Sequence, residues 1–240
     1  MTLRIIPIEG VPEVRPGDDL AGLIMDAAAA EAGPGLEDGD VLVVTSKVVS
    51  KAEGRLVEVD PDDPLGHKPL VEQEAVRVLR RRGDLLITET RHGFVCANAG
   101  IDLSNVERGW AVLLPEDPDR SARRIRDAIR ARRGVELAVI ISDTFGRTWR
   151  RGVTDVAIGC AGITPVVDLR GTRDTYDREL MVTEVCVADE LAGAADLVMG
   201  KARGIAAAVL RGADANWLDA PNLASVTSAV VRTPAEDLFR

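Results

Sequence analysis

The triplet Ser142-Asp143-Thr144 follows an apolar run, residues 137–141, in the stretch LAVIISDTFGRTWRRG. A carboxylate beside hydroxyls supplies the oxygen ligands that a hard cation favours. Arg147, Arg150 and Arg151 follow within eight residues of Asp143, and guanidiniums match phosphate oxygens. A strand end that offers a metal ligand and then phosphate clamps could hold a nucleotide. The alternative is a strand followed by a charged surface turn.

Three other stretches carry comparable chemistry. In SKVVSKAEGR, Ser46 precedes Lys47 and Lys51, which share a face if the segment is helical. Two ammonium groups there repel unless an anion sits between them, or they form a solvated surface pair. In NAGIDLSNV, small residues surround Asp102 and Asn105, with Gly100 permitting an uncommon backbone shape. This is a place for a ligand to approach the backbone, or a turn in which Asp102 and Asn105 bond their own chain. The loop Met199-Gly200-Lys201-Ala202-Arg203-Gly204-Ile205 joins two glycines to two cations, which suits phosphate, although it lacks a P-loop's Gly-Lys-Ser/Thr.

These groups need elements to place them. Alternating patterns predict strands at 4–8, 41–45, 85–88, 112–114, 137–141 and 166–169, and another in AAAVLRG after the glycine loop. Helices are predicted over 20–32, 70–82, 117–133 and 180–195, the third with Asp117 and Pro118 at its start. Residues 153–163 suit either strand or helix. Glu184, Asp189 and Glu190 fall on the last predicted helix, where they answer Arg147, Arg150 and Arg151 or help bind substrate. Local alternation of strands and helices by itself suggests an α/β fold.

Composition narrows the function. The chain has 240 residues with 46% hydrophobic and 29% charged content, as expected of an ordinary globular protein. At 3% aromatic residues, the core must be built from Val, Leu, Ile and Ala. A net charge of −9 argues against nucleic-acid or anionic-membrane partners, so an anionic ligand must be held by local cations or metal. Cys96, Cys160 and Cys186 are dispersed, which suggests reduced thiols and a cytoplasmic setting. With only His67 and His92, a zinc site is not expected, and neither histidine has a catalytic partner motif. No apolar run approaches the ~18 residues of a membrane span.

Taken together, IIPIEGVPEVRPGDDL, GDVLVVTSKVVSKAEGR, NAGIDLSNV, SDTFGRTWRRG, VTEVCVADE and VMGKARGIAAAVLRG resemble, in order, the coenzyme F420:L-glutamate ligase family. The resemblance covers nearly the whole chain. It implies one ligase domain over residues 1–240, of class α+β, a CofE-like fold with two interleaved subdomains and mixed β-sheets. It also implies a GTP-dependent ligase that joins L-glutamate to the coenzyme F420 precursor and extends a γ-linked glutamyl tail, releasing GDP and phosphate. Mn²⁺ or Mg²⁺ serves the family, with K⁺ assisting, and its members form homodimers.

Carried over by position, Asp102 and Asp143 resemble ligands of one metal, with Thr144 on a second. Val11, Pro12, Glu13, Val14, Ser46, Lys47, Lys51, Asn105 and the loop Met199, Gly200, Lys201, Ala202, Arg203, Gly204, Ile205 resemble the GTP contacts. The chain departs from archaeal members where Lys201 aligns with a glutamate that ligates the second metal. That departure favours the alternative of a GTP- or metal-binding module serving a partner. The terminal AEDLFR resembles the junction at which fused members continue into a nitroreductase-like domain.

Overall fold

The computed structural model describes residues 2–218 and 225–238; the final two residues of AEDLFR and residues 219–224 of the tail lie outside this set. The chain opens with strand β1 (Arg4–Ile8), helix α1 (Leu20–Ala28) and strand β2 (Val41–Thr45), which runs directly into helix α2 (Ser46–Ala52). Strand β3 (Leu56–Glu58) and helix α3 (Lys68–Glu74) lead to strands β4 (Ala75–Arg82), β5 (Leu85–Thr90) and β6 (Val95–Ala97). After a 3₁₀ turn at Asn98–Gly100 come β7 (Trp110–Val112), helix α4 (Pro118–Arg133) and two long strands, β8 (Ala138–Arg147) and β9 (Arg150–Ala161). Short strands β10 (Val167–Asp168) and β11 (Glu184–Val185) precede helix α5 (Val187–Met199) and strand β12 (Ala207–Arg211). Two four-residue helices, α6 (Ala215–Leu218) and α7 (Val226–Ala229), follow.

The main sheet has the order β1-β12-β2-β8-β9. Only β2 and β8 run parallel; the other neighbours are antiparallel. Val41 to Val44 and Val139 to Ile141 are fully buried. Their uninterrupted apolar sequence fits a strand covered on both faces. Helices α4 and α5 pack on this sheet. Three smaller sheets, β10-β11, β3-β7 and β4-β5-β6, complete the fold. Val71 of α3, Leu86 of β5 and Ala99 of the 3₁₀ turn form a small apolar cluster apart from the main core. One mixed sheet, with the single parallel pair among the described residues, and three antiparallel sheets make this an α+β protein, as the resemblance implies, and not the α/β fold that local alternation suggests.

Helix α4 begins and ends where its sequence predicts. Asp117 accepts the Arg120 N–H at 2.9 Å, Pro118 occupies the first turn, and Gly134 closes the helix with φ +69°. The helix predicted over 70–82 instead stops at Glu74, and Ala75–Arg82 pairs with Leu85–Thr90. Gly83, at φ +57°, turns the chain back, so hairpin pairing overrides the helical spacing of 71, 75, 78 and 79. The helix predicted over 180–195 begins only at Val187, which leaves Glu184 on β11. Residues 153–161 are strand, paired against β8.

Candidate functional site

Register brings the scattered motifs to one end of the main sheet. Ile8 pairs with Ala207, Ala207 with Val44, and Val44 with Ile141. The end of β1, the end of β2 and the start of β12 therefore lie side by side. Residues 11–14 follow the first, Ser46–Ala52 the second, and the 199–205 loop precedes the third. Strand β8 pairs with Thr45 through Ser142 and then runs on past β2 toward Arg147. A cavity of ≈ 1390 Å³ opens at this end. It is larger than the ~300–1,000 Å³ of a drug-sized ligand pocket, leaving room for a nucleotide and a second substrate.

Its floor is built by a β-bulge. Ile141 faces Gly159, but Ser142 faces Ala157, so β9 holds one extra residue at the point where β8 turns polar. Bulges re-aim side chains and occur beside active sites. Beyond it, Thr144 lies directly opposite Asp155. The Asp155 carboxylate, 3% exposed, accepts the Ser142 hydroxyl at 2.8 Å and the Thr144 hydroxyl at 2.5 Å. Asp143 accepts the Ser46 hydroxyl at 3.0 Å. Burial pushes the Asp143 carboxyl up to about 7, with Asp155 adding to the rise while the Thr144 N–H, Ser46 and Lys201 oppose it. Cys96 lies nearby, and its thiol is raised to about 12 by burial and by Asp143, so it stays neutral.

The adjoining wall carries two lysines. Lys47 reaches Asp102 Oδ2 at 2.8 Å and also donates to the Ser104 carbonyl at 2.5 Å. Lys51, 6% exposed, reaches Glu13 Oε1 at 2.5 Å and the Asn105 carbonyl at 2.9 Å. The two lysines thus sit on one helical face, each answered by its own carboxylate. Burial raises the Asp102 carboxyl, but bonds from Lys47 and the Ser104 N–H outweigh it and hold the group below its ordinary value. Asp102 also forms the expected local turn, accepting the Ser104 N–H at 2.7 Å, and its backbone bridges to Val112. Gly100 makes this approach possible: at φ +71°, a Cβ there would sit 2.7 Å from Leu114 Cγ. Asn105, at φ +53°, donates from Nδ2 to the Lys201 carbonyl at 3.2 Å and ties this segment to the glycine loop.

Of the predicted residues, Val11, Pro12, Glu13, Val14, Ser46, Lys47, Lys51, Asp102, Asn105, Asp143, Thr144, Met199, Gly200, Lys201, Gly204 and Ile205 line this one cavity. Ala202 and Arg203 do not; Arg203 turns back to donate to the Val198 carbonyl at 3.3 Å. Arg147, Arg150 and Arg151 are also elsewhere, at the exposed end of the β8–β9 hairpin. They make no ion pair among the described residues, so they do not answer Glu184, Asp189 or Glu190. Asp189 instead accepts the Ala157 N–H at 2.9 Å, and Glu184 pairs with Arg170 at 3.3 Å. Neither histidine lines the cavity; His92 bonds the Glu116 carbonyl at 3.0 Å and stacks on Phe94.

Asp155 escapes the sequence reading. The available signal was a lone carboxylate between Val153 and Ile158 in an otherwise apolar strand, which is costly unless hydrogen-bonded.

The donor set can be judged against a metal. Asp143, Ser46 and Thr144 offer oxygen only, which suits Mg²⁺ or Mn²⁺ and not a soft ion. Among the described residues no cluster of three or more His, Cys, Asp or Glu forms a complete cage. Mg²⁺ usually keeps waters and takes phosphate oxygens alongside one or two carboxylates, and the floor fits that habit.

Comparison with known sequences agrees with the motif resemblance. Residues 10–212 match the family described as F420-0:Gamma-glutamyl ligase. A coenzyme F420:L-glutamate ligase of Methanopyrus kandleri is 45% identical over 256 residues, covering 100% of this chain and 98% of that protein. Enzymes of the same name from Methanothermobacter thermautotrophicus and Archaeoglobus fulgidus are 48% and 44% identical, each over 88% of this chain and 90% and 88% of their own lengths. The chain belongs to the F420-0:gamma-glutamyl ligase family.

Proposed function

We propose that this protein is a GTP-dependent ligase of coenzyme F420 biosynthesis, forming an amide between L-glutamate and the F420 precursor and then extending a γ-linked glutamyl tail. The observation that carries the reading is one cavity whose lining joins an oxygen-rich acidic floor to Lys47 and Lys51. An acceptor carboxylate must be activated before an amine can displace its oxygen. In the proposed sequence its oxygen attacks the γ-phosphorus of GTP, GDP leaves, and an acyl phosphate forms. The glutamate amine then attacks the acyl carbon, giving up a proton as phosphate departs.

Lys47 and Lys51 offset charge on the transferring phosphoryl group, and the 11–14 and 199–205 segments enclose the nucleotide. Asp143 and Asp102 would hold Mn²⁺ or Mg²⁺, with Thr144 at the position of a second ion. That cation, when bound, neutralises phosphate charge and orients the phosphate oxygens. Ser46 donates to Asp143 and so fixes the direction of its carboxylate. K⁺ is part of the same expectation.

The protein is expected to act as a homodimer in the cytoplasm. Large apolar side chains stand exposed on the β8–β9 hairpin and the segment before β11, among them Val153, Tyr176, Met181 and Val182, which gives a second copy something to cover. A monomeric mass by sedimentation would remove the dimer from the proposal.

The activity is tested by incubating the protein with GTP, Mn²⁺, L-glutamate and unglutamylated coenzyme. Mass spectrometry should show successive glutamyl increments with equimolar GDP. GTP binding without glutamate-dependent GDP release would select the binding-module alternative.

A further inference from the structure

Three lysines enter the cavity, and each already has a carboxylate. Lys47 meets Asp102 and Lys51 meets Glu13, both on the wall. Lys201 meets Asp155 on the floor, its Nζ 3.3 Å from Oδ1. The floor's other carboxylate, Asp143, has a hydroxyl donor but no ion pair among the described residues. The two neighbouring acidic positions therefore differ in their ion pairing: the Lys201 ammonium meets Asp155 directly and acts on Asp143 only from further away.

The attachment is built from two directions. The Lys201 carbonyl is held by Asn105 Nδ2, and its side chain by Asp155, so backbone and ammonium are anchored by different elements. Gly200 at φ +59° and Gly204 at φ +68° let the loop fold tightly enough to present Lys201 inward. Asp155 spends its remaining capacity on the Ser142 and Thr144 hydroxyls. Thr144 consequently donates its proton to Asp155. An ammonium over this pair satisfies the same negative charge that a divalent ion there would satisfy. Asp196, a further carboxylate near Lys201, lies toward the end of α5, where Lys201 opposes the rise that burial gives its pKa.

We propose that Lys201 is a tethered cation that fills the position beside Asp155 and Thr144, so that the site takes one divalent ion per chain, at Asp143. The inference rests on the nucleotide–metal reading of the cavity but concerns ion count, not turnover. With the ammonium carried by the chain itself, positive charge beside Asp155 does not depend on free metal. Only the Asp143 position depends on the Mn²⁺ or Mg²⁺ concentration.

The test counts bound Mn²⁺ by electron paramagnetic resonance on metal-stripped full chain, with Mn²⁺ alone and with GDP added. Wild type and Lys201→Arg should each saturate at one Mn²⁺ per chain. Lys201→Ala should saturate at two, and adding Asp155→Asn to it should return the count to one. Circular dichroism on each variant confirms a folded chain; should the double variant not fold, the wild-type and Lys201→Ala counts decide alone. Two ions in wild type, or one in Lys201→Ala, would overturn the inference and leave the ligase reading standing. No Mn²⁺ bound by any variant would overturn the metal site itself and this inference with it.

Discussion

The floor and the wall of the cavity are made by different means. Asp143 and Asp155 stand on paired strands of the main sheet, and their placement follows from register and one bulge. Lys47, Lys51, Asp102 and Asn105 stand on a short helix and on loops, held to one another by side-chain bonds. The floor is therefore set by the fold of the core, whereas the wall is set by contacts that a ligand can exchange. A cation binding the floor meets a preorganised group. A triphosphate binding the wall must draw Lys47 and Lys51 away from Asp102 and Glu13.

If that contrast holds, the largest loss comes from the floor. Asp143→Ala should lower turnover by roughly 10³-fold, the scale of removing a group that stabilises developing charge. It should do so without lowering the urea midpoint, because the carboxylate costs stability where it is buried. Normal turnover in this variant would end its assignment as the metal ligand.

The same sheet should dominate stability. Ile140, fully buried in β8, should cost about 2–5 kcal/mol on truncation to Ala. Val78, 41% exposed in β4, should cost about 0.5 kcal/mol or less. Urea denaturation of the two variants checks this directly, and similar losses would mean that the three-stranded sheet is packed far more tightly than its small cluster suggests.

The two regions also differed in how well they could be read from sequence. Apolar runs at 41–44 and 137–141 located the two strands that pair in parallel, and Asp117 and Pro118 placed the start of α4. Segment 70–82 could not be read this way, since its fate depends on pairing with β5, a non-local contact that helical spacing does not encode. The motifs identified most of the cavity lining. They could not give partners: that Lys47 meets Asp102, or that Lys201 meets Asp155, depends on segments far apart in sequence being folded together. Arg147, Arg150 and Arg151 looked like phosphate clamps because they follow Asp143 closely, but β8 carries them away along the hairpin, roughly 3.3 Å per residue.

On the wall, Lys47→Met should weaken GTP binding by about tenfold to a hundredfold without lowering the Mn²⁺ affinity of the nucleotide-free chain, because it releases the Asp102 carboxylate, itself a candidate ligand of the ion. The scale is that of one charge-assisted contact, about 1.5–3 kcal/mol. Isothermal titration with each ligand separates the two. A parallel loss of Mn²⁺ affinity would mean that the wall helps to form the floor and that the contrast between them is false.

The smallest effect concerns pH and belongs to the floor alone. The Asp143 carboxyl is raised to about 7 in the folded, cation-free chain, against an ordinary 3.8. A carboxyl raised by folding binds its proton more tightly in the native state. Its stabilising contribution is complete below about 3.8 and is lost as pH rises through 7. With EDTA present, wild type should thus lose stability between pH 5 and 8 relative to Asp143→Asn, by about 1 kcal/mol once water access to the cavity is allowed for. Saturating Mn²⁺ should reverse the sign, because the ion requires the deprotonated form. Urea midpoints across this range, with and without Mn²⁺, measure both slopes. Identical cation-free slopes in wild type and Asp143→Asn would show that the carboxylate is already ionised and solvated, and the floor would then be no more preorganised than the wall.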